Sequence, residues 1–227
     1  MTITIINDCR DANAIGRQCA RTSALFHAPV SFIGVSHDLE AAGNLVDALD
    51  AVGDQPAVIL VNVAPRNGKA KRWKNGTPFG YFRCKNTLVL ASIDGYVLSL
   101  VKKLDLTKEI CVLDIPTVLQ QITEHQNLTE ETKRQIINTQ FRSFDFLPRA
   151  AFALHSGVIL EYTPLPIEQI SDSPFGIWWI DNFGNCKTTL LRGDVFLDGS
   201  GMAALAFGRV PFIEHLREVP EGEGALI

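Results

Sequence analysis

The chain has 227 residues, 46% of them hydrophobic, and a formal net charge of −4. This length suits one large domain or two modest ones, and the apolar content is ample for a buried core. A mildly acidic chain offers no basic surface for a nucleic acid or an anionic membrane, so we expect neither as a partner. No stretch approaches the roughly 18 apolar residues of a membrane-spanning helix, and the first residues lack the basic flank of a signal peptide.

The spacing of cysteine and histidine bears on compartment and cofactor. The five cysteines contain no C-x-x-C pair, and the five histidines contain no H-x-x-H or H-E-x-x-H spacing. An odd number of cysteines without paired spacing is typical of a reduced compartment, which predicts a cytoplasmic protein. We expect no metal cofactor, because the common metal-binding motifs need such spacings.

Strand-like and helix-like segments alternate through the first half of the chain. Taken in order, we predict a strand at 2–6, a helix at 12–25, a strand at 30–35, a helix at 38–52, strands at 57–63 and 87–92, a helix at 96–103, a strand at 109–114 and a helix at 129–139. The helix at 38–52 has apolar residues at helical spacing, with Asp38 as its expected N-cap. This alternation predicts a mixed, mostly parallel sheet covered by helices. The cation-rich stretch 65–78 is expected to be an exposed loop, at the end of a strand where ligands of such sheets bind.

After residue 157 the pattern changes to short strands separated by turns. We predict strands at 158–162, 176–180, 186–191 and 203–207. Three prolines in 163–174 are typical of a linker or a rim between two domains. The sequence therefore predicts an α/β fold: an N-terminal mixed, mostly parallel sheet with helices at 1–160, a linker at 161–174, and a small C-terminal β-barrel-like domain at 175–227.

The most specific motif is the segment 178–190, in which an apolar strand meets a tight turn. Residues 181–185 read Asp-Asn-Phe-Gly-Asn, and Thr188-Thr189-Leu190 follow. Asn and Gly supply the positive φ that such a turn requires. The segment resembles the D-x-F-G-N-x-x-T-N-I signature in the C-terminal domain of the S-adenosyl-L-methionine (SAM) hydroxide adenosyltransferase family, which includes the SAM-dependent fluorinases and chlorinases.

Further motifs similar to those of that family occur in the same order along the chain. They are Asp8 after the first strand, Ser36-His37 after the second, the strand and loop at 60–68, the segment 91–97, and the Ser/Gly turn with its apolar strand at 200–206. Six motifs in the right order are much stronger than any one of them. Together they extend the resemblance over nearly the whole chain.

The resemblance implies a set of SAM-binding residues. In the family the first-strand Asp holds the ribose hydroxyls, and the Asn of the F-G-N turn reads the adenine, because a carboxylate accepts two hydroxyl hydrogen bonds and an amide pairs with a purine edge. A second N-terminal Asp lies near the methionine amino group, and a Ser-Arg pair binds the methionine carboxylate in some members. By position, the implied residues here are Asp8, Asp11, Asn13, Phe183, Asn185 and Ser200. Asn67, the first residue of a small Asn-Gly-Lys nest, is added as a further binding candidate.

Two of these positions, and His37 of the Ser-His motif, have simpler structural interpretations. Asp8 at the end of a strand is also placed to cap the following helix. Asn185 is also an ordinary turn residue. We expect His37 to be a structural histidine rather than a catalytic one.

The water-activating groups of the family are incompletely matched. Its hydroxide-forming members use an Asp in a D-P-G-V-G motif, an Arg shortly after it and a His, because deprotonating water at neutral pH needs a base and compensating positive charge. Here Ala64-Pro65 replaces the Asp-Pro pair, and the segment 139–145 contains no histidine. The candidate catalytic residues that remain are Asn62, the nearest polar group on the strand, with Lys71 or Arg72 as the cation.

Two functions from different classes follow from the resemblance. The first is binding of SAM or a related adenosine compound, with nucleophilic cleavage of SAM at the ribose C5′ to adenosine, or a 5′-substituted adenosine, and methionine. The second is a catalytically silent nucleoside-binding or structural trimer, which the missing Asp and His favour. A third hypothesis is an unrelated α/β enzyme.

The resemblance also implies a homotrimer. Family members place each nucleoside pocket between the N-terminal domain of one subunit and the C-terminal domain of the next. A β domain of fewer than about 60 residues is marginal by itself, which independently favours packing against a neighbour.

Overall fold

The computed structural model describes residues 1–64, 78–139, 141–205 and 208–227. The chain divides into two compact units, Met1–Pro174 and Phe175–Ile227. The stretch 161–174, predicted to be a linker, belongs to the larger unit. In the described residues no helix is both long and apolar enough to cross a membrane.

The larger unit alternates strands and helices through most of its length. Its strands are β1 Thr2–Asn7, β2 Val30–Gly34, β3 Ala57–Asn62, β4 Phe79–Cys84, β5 Thr87–Ser92, β6 Glu109–Leu113 and β7 Thr163–Pro166. Its helices are α1 Ala12–Phe26, α2 Asp38–Val52, α3 Ser99–Lys103, α4 Ile115–Gln121, α5 Thr123–Gln126, α6 Glu130–Asn138 and α7 Arg142–His155.

The seven strands form one sheet in the order β2-β1-β3-β5-β4-β6-β7. Strand β1 pairs in parallel with β2 and β3, and β3 pairs in parallel with β5. Strand β4 is antiparallel to both β5 and β6, and β7 is antiparallel to β6. The prediction of an α/β fold with a mixed, mostly parallel sheet is confirmed.

Both faces of the sheet are buried, which explains the continuous apolar run of β3. Ile5, Val58 and Leu60 lie in a cluster with side chains of α1, α4 and α7. Ile59 and Val61, which alternate with them along β3, lie in a second cluster with α2 and α3. A strand covered by helices on both faces needs apolar side chains at every position, not at alternate ones.

The sequence patterns missed several elements whose stability comes from packing. Strand β4, which forms a hairpin with the predicted strand β5, was not predicted, and neither were helices α4, α5 and α7. Helix α7 contains Pro148, which removes a helical hydrogen bond. Its apolar side chains, including Phe146 and Leu147 at no more than 2% exposure, are buried against the sheet, and this burial outweighs the loss.

The segment after α7 also differs from its prediction. Residues 158–162 are not a strand; the strand is β7, inside the predicted linker. Pro164 and Pro166 pair with Cys111 and Glu109 at the edge of the sheet. An edge strand tolerates proline because one side of its backbone needs no partner.

The smaller unit contains two antiparallel strand pairs. Its strands are β8 Ile177–Ile180, β9 Cys186–Thr188, β10 Met202–Leu205 and β11 Gly208–Pro211. Strand β8 pairs with β9, and β10 pairs with β11. Within the described residues these pairs remain separate two-stranded sheets, so the predicted β-barrel-like closure is not observed.

Candidate functional site

The sheet topology marks a crevice between β1 and β3. From β1 the chain runs through α1 to β2, on one side of β1; from β3 it continues to the strands on the other side. In open α/β sheets, ligands bind outside the carboxyl ends of strands at such a switch point. Asn7 and Asn62 are register partners at these two carboxyl ends, and Asp8 follows directly. We call these three residues the β1–β3 crevice.

Asp8 is a buried carboxylate that joins the two strand ends. The residue as a whole is 9% exposed. Its backbone N–H donates to the carbonyl of Asn62 at 3.3 Å, and its Oδ2 accepts from the N–H of Ala64 at 3.4 Å. The N-cap of α1 is Asp11, not Asp8, so helix capping does not explain this carboxylate.

A buried amide network holds the crevice in place. Asn7, 1% exposed, donates from Nδ2 to Oε1 of Gln18 at 2.6 Å. Its Oδ1 accepts from the N–H of Cys9 at 2.9 Å and from Nδ2 of Asn62 at 3.5 Å. Gln18 in turn donates to the carbonyl of Ala14 at 3.2 Å. Each buried amide is therefore paired, and the turn that carries Asp8 is tied to α1.

Sequence reasoning missed Asn7 and Gln18. The available signal for Asn7 was a polar residue ending an apolar strand beside Asp8. Gln18 lies one helical turn after Ala14 and one before Thr22, all of them on the buried side of α1. That placement could have marked it as a polar group with a buried partner.

The end of β5 and the loop that follows it form the neighbouring part of this sheet edge. Ser92, fully buried, accepts from the N–H of Val63 at 3.1 Å. Oδ2 of Asp38 accepts from the N–H of Tyr96 at 2.9 Å, which ties the start of α2 to the loop after β5. Gly95 has φ +69°, and a Cβ there would lie 2.4 Å from Asp38 Oδ2. Only glycine suits both that backbone and that space.

Ser36 and His37 begin helix α2. His37, not the predicted Asp38, is the N-cap, and its Nδ1 accepts from the N–H of Glu40 at 3.1 Å. The neutral ring must then carry its proton on Nε2. Oε2 of Glu40 accepts from the N–H of Ser36 at 2.6 Å. These contacts give the Ser-His pair a structural role.

The other predicted N-terminal residues have varied positions. Asp11 uses its carboxylate to cap α1, accepting from the N–H groups of Asn13 and Ala14, each at 3.0 Å. The Asn13 side chain is exposed. Asn67, Lys71 and Arg72 lie outside the described residues.

In the smaller unit, the 181–185 turn is organised by Asp181. Its Oδ1 accepts from the N–H groups of Phe183 at 2.8 Å and Asn185 at 2.9 Å. Its Oδ2 accepts from Nδ2 of Asn185 at 2.8 Å, and Gly184 supplies φ +89°. These hydrogen bonds, that of the Asn185 side chain first, lower the pKa of Asp181.

The turn presents two groups suited to a purine. Phe183 is 83% exposed and offers a ring face. Because Asp181 accepts only one of the two Nδ2 hydrogens, Asn185 keeps a donor and a carbonyl acceptor on the same amide. Ser200 differs, since its hydroxyl donates to Asp198 at 2.6 Å within its own turn.

Next to Asp8, the described residues at the end of β3 offer hydrogen-bonding groups but no further base. Ala64 provides an N–H to Asp8 and only a methyl side chain. The amide of Asn62 is not a base. In the described residues no group of three or more His, Cys, Asp or Glu side chains could hold a metal ion.

The comparisons with known proteins bear on the fold. No family model matches the chain, and no curated protein matches it. The chain is similar to the crystal structure of an uncharacterized conserved protein from Thermotoga maritima, with a TM-score of 0.63 and 15% identity over 98% of this chain and 86% of that one. It is also similar to a conserved hypothetical protein from Thermus thermophilus, with a TM-score of 0.60 and 22% identity over 98% and 84% of the two chains. At such identities the likeness shows a shared fold.

Proposed function

We propose that this protein binds adenosine compounds, SAM among them, and that Asp8 holds the ribose hydroxyls in the β1–β3 crevice. The observation that carries the proposal is a buried carboxylate at the switch point of the sheet that does not cap a helix. A carboxylate accepts hydrogen bonds from two neighbouring hydroxyls at once, which suits the 2′ and 3′ positions of a ribose. The ordered motifs shared with the adenosyltransferase family support the same ligand.

The 181–185 turn supports an adenine as the base. The exposed ring of Phe183 is a stacking surface, and the amide of Asn185 is held by Asp181 with a donor and an acceptor still available. An amide fixed in orientation before binding loses little entropy when it pairs with a purine edge. Asp181 is thus a positioning residue that the sequence analysis did not select.

The same residues favour binding without rapid hydrolysis of SAM. Attack at C5′ by water needs a group that accepts a proton, and neither the methyl of Ala64 nor the amide of Asn62 does so. Enclosure and alignment of SAM would still favour displacement by a nucleophile that needs no deprotonation. The catalytically silent alternative is favoured specifically by the methyl group that stands in place of a carboxylate at Ala64.

We further propose a homotrimer, as the resemblance implies. The smaller unit carries large side chains that remain in solvent in the single chain: Phe175 at 71%, Phe183 at 83% and Phe196 at 86% exposure. These exposed aromatic groups are available to contact a neighbouring subunit. Light scattering at micromolar concentration should report three copies, and a monomer would contradict the assembly.

The binding proposal is tested by calorimetry with adenosine and SAM. Asp8→Asn and Asp8→Ala should each weaken adenosine binding by about 1–3 kcal/mol, because a ribose hydroxyl is left without its acceptor. Asp50→Asn is the matched control, since Asp50 is exposed near the far end of α2 and its change removes the same charge. Mass spectrometry of the denatured protein should detect any adenosine compound that co-purifies. If wild type binds neither compound, or if both Asp8 variants bind like wild type, the proposal fails.

A further inference from the structure

Arg10 is an exposed cation two residues after Asp8, and its side chain is held against β2. An ideal Cβ placed on Gly34, the last residue of β2, would lie 2.9 Å from Cβ, 3.6 Å from Cγ and 3.2 Å from Cδ of Arg10. Three successive carbons of Arg10 therefore run along the open face of the glycine. Gly34 is the register partner of Asn7, so this contact lies at the rim of the β1–β3 crevice.

The glycine at position 34 is required by space rather than by backbone angle. Gly34 is absent from the residues with positive φ, so its backbone suits any L-amino acid. A Cβ at 2.9 Å from Arg10 Cβ is closer than real carbon atoms approach. Because Arg10 Cβ is fixed to its own backbone, it cannot move aside as the end of a side chain could. Gly34 thus makes room for the stem of Arg10.

Arg10 is available to a ligand in a way that the start of α1 is not. The N–H groups of Asn13 and Ala14 at that helix start are already paired with the carboxylate of Asp11. Arg10 forms no ion pair within the described part of the chain. Its guanidinium therefore has five donors available, on a stem that packs against Gly34 at the rim of the crevice.

We propose that Arg10 makes this site selective for adenosine compounds whose 5′ substituent carries a negative group, a carboxylate or a phosphate. The inference rests on the proposed ribose contact of Asp8. In a ribose the 5′ substituent lies across the ring from the 2′ and 3′ hydroxyls, so Arg10, two residues after Asp8 on the same rim, is the cation that we assign to it. A guanidinium forms bidentate hydrogen bonds with both carboxylate and phosphate groups, so Arg10 could recognise either anion in the same way.

The test compares adenosine, AMP and SAM by calorimetry with wild type and three variants. Arg10→Gln removes the guanidinium. Gly34→Ala leaves every charge in place and displaces the stem of Arg10. Arg134→Gln, on the exposed side of α6, removes the same charge elsewhere and is the matched control. Circular dichroism establishes that each variant is folded, and if Gly34→Ala does not fold, Arg10→Gln decides alone.

Arg10→Gln and Gly34→Ala should weaken binding of AMP or SAM about tenfold or more and leave adenosine unchanged, because only the charged hydrogen bonds are lost. Raising the salt concentration should weaken AMP binding more in wild type than in Arg10→Gln. The compound that loses affinity identifies phosphate or carboxylate as the anion.

If adenosine binds and Arg10→Gln leaves all three affinities unchanged, this inference is wrong while the ribose proposal stands. If AMP binding depends on Arg10 but adenosine does not bind, the anion contact stands and the ribose proposal falls. If wild type binds none of the three, both fall.

Discussion

Replacing Gly95 by alanine tests the loop that borders the β1–β3 crevice. The new Cβ would meet Asp38 Oδ2 at 2.4 Å, in a backbone with φ +69°. Left-handed backbone costs a non-glycine residue about 1 kcal/mol or slightly more. Displacing Asp38 also breaks its hydrogen bond from the Tyr96 N–H, and a hydrogen bond to a charged group contributes about 1.5–3 kcal/mol. We therefore expect Gly95→Ala to destabilise the protein by about 3 kcal/mol.

Gly157→Ala is the matched control for backbone strain. Gly157 has φ +85°, but a Cβ there would meet nothing within 4 Å. Its replacement should cost only the strain, about 1 kcal/mol. Adding Asp38→Ala to Gly95→Ala should cost less than the two single changes together, because the smaller side chain removes the clash.

The assay is urea unfolding followed by circular dichroism, with midpoints compared at a constant dependence on urea. Adenosine affinity should fall with Gly95→Ala and remain unchanged with Gly157→Ala, because only the first change moves the loop after β5. Equal destabilisation by the two glycine replacements would refute the contact between Gly95 and Asp38 as the source of the cost.

Three further predictions concern chemistry. Purified wild-type protein should release adenosine from SAM slowly or undetectably near neutral pH, since Ala64 supplies no base, and rapid release measured by chromatography would contradict this. Asn185→Ala should weaken adenosine binding by about 1–3 kcal/mol and raise the pKa of Asp181 toward its ordinary value, because the largest cause of its depression is lost. In wild type the hydrogen bonds of Asp181 stabilise the fold at pH values above its unfolded pKa, about 3.9, and this contribution is lost as the pH falls through the lower folded pKa. If an NMR titration gives Asp181 the same pKa in wild type and in Asn185→Ala, the contact between the two side chains is contradicted. Burial raises the pKa of the Cys111 thiol, so at pH 8 it should react with a disulfide reagent more slowly than the exposed Cys186, and comparable rates in single-cysteine variants would contradict this.

The local sequence patterns predicted the elements whose signal is periodic. The apolar run at 57–63 became a strand buried on both faces, and the apolar spacing in 38–52 became helix α2 with its stated bounds. Three elements had no such signal. Helix α7 contains a proline, strand β4 follows a cation-rich stretch, and strand β7 contains two prolines. Their formation depends on burial against a sheet that is distant in sequence.

The site residues divide in the same way, into those that the sequence indicates and those that depend on packing. Asp8 was selected because it stands where the family that the chain resembles has its first-strand Asp. Asn7, Gln18 and Gly34 were not, because their importance lies in contacts with groups distant in the chain. The sheet order alone brings the ends of β1 and β3 together, and no local pattern encodes that order.

What the sequence by itself determined is therefore the class of the fold and the identity of the polar groups at strand ends and turns. Those follow from side-chain periodicity and turn chemistry, which act over a few residues. The tertiary structure alone decided that Asp8 is buried between two strands, and that Gly34 makes space for Arg10. These facts are set by packing between segments about 20 to 60 residues apart, where only the folded backbone determines which groups meet.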